Sequence, residues 1–155
     1  MSRSSPELSV TVSATALDIS LGLPADPDCG AEARFLGQVR GGDGLVSLTL
    51  EHYPGVTEQA LSAIGRNAAE RFNLRAALIH HRVGTMEVGE PIVLVAASAP
   101  HRKAALQGVE FMMDQLKTHA PFWKKEAFAD GRQAWVEARV SDDQAAKAWF
   151  QGDRP

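Results

Sequence analysis

The run PIVLVAAS, residues 91–98, is apolar at every position before its closing serine. Side chains alternate across a strand, so a strand that is apolar on both faces has to be covered on both, which places it centrally in a sheet. Directly after it, APHRKAALQGVEFMMDQLKTH carries Ala105, Val109, Met112 and Leu116 at helical spacing, with Ser98 as candidate N-cap. Pro121 ends that helix.

The remaining segments fit around this strand and helix. ELSVTVS reads as a strand with Leu8, Val10 and Val12 on one face, and EARFLGQV and LVSLTLEHY read as a hairpin around RGGDG, with Arg40 at its mouth. PGVTEQALSAIGRNAAERF spaces Leu61, Ile64, Ala68 and Phe72 as one helix face, with Thr57 or Pro54 near its start. RAALIHHRVG is a strand joined to PIVLVAAS by a turn through Gly89. After Pro121 come the strand FWKKEAF, the turn ADGR, the strand QAWVEARV and a short helix SDDQAAKAWF capped by Ser141 or Asp142. Parallel βαβ repeats do not recur, so the expected class is α+β: one domain over 1–155, a mixed or antiparallel sheet, two main helices and a short C-terminal helix. Residues 150–155 are expected to fray.

Charge and composition remove several function classes. A formal net charge of -3 and only local basic clusters argue against a general nucleic-acid binder, so the expected anionic ligand is small. Cys29 is the single cysteine, which precludes an intrachain disulfide and a thiolate-rich metal site. The start MSRSSPELSV lacks a signal-peptide core, and PIVLVAASAP is too short to cross a bilayer. The expected location is the cytoplasm, away from membranes.

Two stretches break local rules. His101, Arg102 and Lys103 occupy the first turn of a helix, where the macrodipole is already positive; an anion bound there would offset the cost, and simple solvation of the three side chains is the alternative. In KTHAPFWKKE, an extended chain after Pro121 puts Phe122, Lys124 and Glu126 on one face and Trp123 and Lys125 on the other. Lys124 can then turn back towards Lys117 at the helix end. Two ammonium groups close together beside an aromatic ring push each other towards the neutral amine, which is a base or a nucleophile. The alternative is that Lys117 only satisfies the last helical carbonyls while Lys124 and Lys125 are solvated.

Other candidates are weaker. His80 and His81 face opposite sides of a strand and cannot chelate one metal together; one of them reads as a core or surface histidine with a satisfied nitrogen. No HxxxH or histidine–carboxylate cluster suggests a metal. Met112 and Met113 read as core, and RGGDG lacks the context of a phosphate loop.

The strings FLGQVR, LTLEHYPGVTEQAL, IHHRVGTMEVGE, SAPHRKAAL, MMDQLKTHAPFWKKE and WVEAR, in this order, closely resemble the catalytic (large) subunit family of molybdopterin synthase. The likeness runs from about Ala33 to Trp149, with LKTHAPFWKKE its most specific part, and residues 1–32 match weakly. It implies transfer of sulfur from the C-terminal thiocarboxylate of a small ubiquitin-like carrier subunit to cyclic pyranopterin monophosphate, forming the dithiolene of molybdopterin. No metal or other cofactor of the protein's own is implied. A heterotetramer around a homodimer of large subunits is.

By the same likeness Lys117 and Lys124 match the active-site lysines. Arg40, His101 and Arg102 match the substrate-anion contacts, and Arg139 in VEAR matches a further one. Phe122 and Trp123 are expected to wall the pocket. Arg102 and Lys117 lie fifteen residues apart on one expected helix, about 22 Å at the α-helical rise. The expectation is therefore a site shared between two copies. A competing expectation is a non-catalytic dimeric module that docks a ubiquitin-like tail and a phosphate ligand.

Overall fold

The structure, a computed structural model, describes residues 4–136 and 140–151, with residues 140 and 141 described in backbone only. Three helices and eight strands follow one another among these residues: β1 (Glu7–Ser13), β2 (Ala31–Gln38), β3 (Leu45–His52), α1 (Val56–Phe72), β4 (Ala76–Arg82), β5 (Gly84–Glu87), β6 (Pro91–Ala99), α2 (Arg102–His119), β7 (Phe122–Phe128), β8 (Gln133–Val136) and α3 (Val140–Ala148). The class is α+β as expected, but the strands divide into two four-stranded sheets rather than one.

The first sheet has the order β1-β4-β6-β2, with β1 parallel to β4 and the other pairs antiparallel. β6 lies inside it, because a strand buried along most of its length needs a neighbour on each edge and a layer on each face. Helices α1 and α2 cover one face, where Leu61, Ile64, Ala68, Val109, Phe111 and Met112 meet Ile79, Val95 and Ala97. Gly108 lets α2 settle here, since a Cβ at that position would stand 3.0 Å from Leu74. On the other face Leu78, Leu94 and Ala96 are covered by Leu23 and Leu36. The Arg34 guanidinium donates to the carbonyls of Ile19 and Leu21 and so ties the 14–30 loop to this face.

The second sheet, β5-β3-β7-β8, is antiparallel throughout. A smaller core of Val39, Leu48, Leu50, Val83 and Met86 lies on its inner side, with Val12 and Phe122 packed against it.

Several local expectations are corrected. β2 and β3 do not form a hairpin: β2 pairs with β6 in the first sheet and β3 with β5 and β7 in the second. RGGDG is therefore a crossover, and its tight path uses positive φ at Gly42, Asp43 and Gly44 (129°, 54° and 80°). The short strand β5 intervenes between β4 and β6, where a simple turn was expected. Ser98 is the last but one residue of β6 and is buried; His101 is the N-cap of α2, extended at φ -129° and ψ 153° with no side-chain cap bond. Gly55, rather than Thr57 or Pro54, caps α1, its N–H donating to the Glu58 carboxylate. The chain is helical from Val140, one residue before the expected caps Ser141 and Asp142. No helix among the described residues is long and apolar enough to cross a membrane.

Candidate functional site

Lys117 and Lys124 flank the joint between α2 and β7. α2 ends at His119 because Pro121 cannot continue it, and the chain turns straight into β7. Lys117 stands in the last helical turn and is exposed, while Lys124 is half-buried on β7, opposite Leu50 of β3 and Val136 of β8. Phe122, two residues before Lys124, shares its face of the strand and packs towards the core.

The floor of this region is His81 on β4. Its ring lies flat on Phe122, centroids 3.9 Å apart and planes 19° from parallel. Its Nδ1 is 2.9 Å from the Arg82 carbonyl, which can only accept, so the neutral ring carries its proton on Nδ1. His81 is 4% exposed, and burial lowers its pKa to about 4. The hydrogen bond to Arg82 acts in the opposite direction, and the cations Lys124 and Lys117, with His52, lower it further. His52, at the end of β3, is the register partner of Phe122, and its Nε2 lies 3.4 Å from Glu58 of α1.

Thr57 binds the joint from the opposite side. It is fully buried, its Oγ1 donates to the Pro121 carbonyl at 3.1 Å, and it accepts the Tyr53 N–H at 3.0 Å.

The remaining expected residues fall elsewhere. Arg40 is exposed and follows Val39, whose N–H and C=O pair with Glu90 and Gly89 and whose side chain lies in the core that Phe122 touches. His101 and Arg102 are exposed at the opposite end of α2 from Lys117, and with one unbroken helix between them the separation is about 22 Å. A single chain does not bring them to the lysines. Trp123 is 50% exposed on the opposite side of β7 from Phe122 and Lys124, beside Lys125, so within one chain it does not stand over the lysines. Arg139 lies outside the described residues. Among the described residues no three His, Cys, Asp or Glu side chains are grouped to hold a metal ion.

Chemically, the joint is flanked by two primary amines, one exposed and one half-buried, with a buried imidazole held neutral nearby. Sequence reasoning weighed His81 only as a core or surface histidine and Thr57 only as a residue near a helix start, and it did not single out His52. The available signal for His81 was its alternation with Ile79 and Ala77, which assigns it to the core-facing side of β4.

Comparison with known proteins gives a consistent set of likenesses. The family model described as MoaE protein matches residues 8–119. The molybdopterin synthase catalytic subunit of Rhizobium meliloti (strain 1021) is 49% identical over 136 residues, covering 86% of this chain and 88% of that one. The molybdopterin biosynthesis MoaE protein from Burkholderia ambifaria MC40-6 superposes with a TM-score of 0.75 at 40% identity, covering 92% of this chain and 97% of that one. A chain from the protein-protein complex of subunit 1 and 2 of molybdopterin-converting factor from Helicobacter pylori 26695 shares the fold, with a TM-score of 0.65 at 20% identity, over 85% of this chain and 91% of that one.

Proposed function

Because the chain belongs to the MoaE protein family, we propose that it is the sulfur-transferring subunit of a molybdopterin synthase. It takes sulfur from the C-terminal thiocarboxylate of a small ubiquitin-like carrier subunit and adds it to cyclic pyranopterin monophosphate, forming the dithiolene of molybdopterin. The observation that carries this reading is the pair Lys117 and Lys124, set either side of Pro121, whose positive charges both help to lower the His81 pKa.

Lys117 acts on the thiocarboxylate or on the pterin carbon being thiolated, as base or as transient acyl acceptor. Lys124 stabilises the oxyanion that develops when the acyl carbon is attacked. Phe122 keeps water from one side of the pair. Arg40, His101, Arg102 and Arg139 hold the substrate phosphate, where planar guanidinium groups give paired contacts. The reaction takes place in the cytoplasm, with the chain acting as one domain in a heterotetramer.

Since about 22 Å separates Arg102 from Lys117 along α2, each pocket combines the lysines and Arg40 of one copy with His101 and Arg102 of its two-fold mate. Mixing Lys117→Ala and Arg102→Ala chains tests this directly. Each variant alone is inactive, and random reassortment of equal amounts restores about a quarter of wild-type turnover, because half the dimers are mixed and one of their two pockets is intact. A mixture as inactive as its components, with exchange verified by mass spectrometry, rejects sharing. The test of the function itself is dithiolene formation from thiocarboxylated carrier and cyclic pyranopterin monophosphate; a tight complex without product, across more than one carrier, rejects it.

A further inference from the structure

The proposed chemistry uses the two lysines but leaves open what holds them at a working separation. Lys117 ends a helix and Lys124 belongs to a strand of the second sheet, so their relation depends on the two residues at the turn between them, Pro121 and Phe122. Each of these two is gripped by a different element. Thr57, in the first turn of α1, donates its hydroxyl proton to the Pro121 carbonyl at 3.1 Å. The same hydroxyl accepts the Tyr53 N–H at 3.0 Å, so its direction is fixed. His81, on β4 of the first sheet, stacks on the Phe122 ring at 3.9 Å and is oriented by the Arg82 carbonyl at 2.9 Å. Both grips are buried, with Thr57 0% and His81 4% exposed.

Neither contact is needed to make a helix or a strand. Thr57 is not the cap of α1, since Gly55 and Glu58 serve that end. A threonine hydroxyl buried sixty-four positions along the chain from its acceptor acts on the joint. The charged and titratable groups that bear on this region are Lys117 from α2, Lys124 from β7, His52 from β3 with Glu58 from α1, and His81 from β4.

Resting on the sulfur-transfer reading, we propose that Thr57 and His81 are positioning residues that clamp the Pro121–Phe122 joint at two points and thereby set the separation of Lys117 and Lys124. The clamp works on kcat. Of the residues proposed to hold the substrate phosphate, His101 and Arg102 lie at the opposite end of α2 from the joint, so KM is little affected. Letting the lysines move apart takes them out of working geometry and slows the chemical step.

The experiment is dithiolene formation by the assembled synthase, with Thr57→Val, Thr57→Ser and His81→Ala, each normalised to folded protein by circular dichroism at assay temperature. Thr57→Val lowers kcat about tenfold and leaves KM within about twofold. Thr57→Ser, which restores the donor, restores kcat. His81→Ala, which removes the stack, reproduces the Thr57→Val pattern. Thr57→Val with wild-type kcat overturns the proposal, as does a loss of kcat that Thr57→Ser shares in full. If Thr57→Val does not fold, His81→Ala and Thr57→Ser carry the same comparison. Retention of turnover in Lys117→Ala is the separate outcome that sinks the underlying chemistry, whatever the clamp variants do.

Discussion

Lys117→Ala gives a protein that folds and still associates with its carrier, yet forms dithiolene at least about a hundredfold more slowly, the smallest effect usual for a positioned proton-transfer group. The fold tolerates the change because Lys117 is exposed on the last turn of α2 and the side chain is outside the core formed by Leu116, Met112 and Val109. Substitutions at such positions alter stability by about 0.5 kcal/mol or less. Part of even that small cost comes from losing a cation at a helix C-terminus, where His119 remains. Single-turnover product formation and a thermal melt on the same sample check both halves. Near-normal turnover removes Lys117 from the chemistry, and a large drop in melting temperature turns the result into one about folding.

The second large effect is loss of stability in acid. The neutral His81 ring has a pKa of about 4 in the folded protein, against 6.5 as the ordinary value. Between those two values the unfolded chain binds a proton that the folded chain does not, so stability rises with pH across the window and falls on acidification through it. Above 6.5 both states are neutral and below about 4 both are charged, so the slope is confined to that interval. The full change is roughly 3 kcal/mol, at 1.36 kcal/mol for each unit of difference. Its first cause is burial, followed by the approach of Lys124, Lys117 and His52 as further positive groups. His80, also lowered by burial, adds in the same direction from the opposite face of β4, where Ser9 Oγ is 2.8 Å from its Nε2. Urea unfolding at pH 7, 5.5 and 4 reads the slope. His81→Phe, which cannot charge, removes most of it; an unchanged slope in that variant assigns the acid sensitivity to other groups.

The parts of the fold that could be read from the chain were those governed by neighbours in sequence. β1 and β7 begin and end where the patterns ELSVTVS and FWKKEAF do, and Ala105, Val109, Met112 and Leu116 are all buried on α2. Alternation alone put Phe122 and Lys124 on one side of β7 and Trp123 and Lys125 on the other. The helical rise alone separated Arg102 from Lys117. Such features depend on backbone periodicity and steric rules that act within a few residues.

What only the tertiary structure decided was pairing and contact. β2 and β3 look like a hairpin because glycines lie between them, but β6 is apolar on both sides and recruits β2 as its outer neighbour, which leaves RGGDG to cross between sheets. β5 was missed because GTME offers only Met86 to a core, and its strand character comes from β3 beside it. His81 was placed on a face by its spacing, yet nothing nearby in sequence says that this face holds Phe122 from the other sheet. Thr57 looked like a helix start, and only the packed chain brings the Pro121 carbonyl to its hydroxyl. Local rules set where side chains point. What they point at depends on contacts between segments far apart in the chain, whose energies are settled jointly by the whole core.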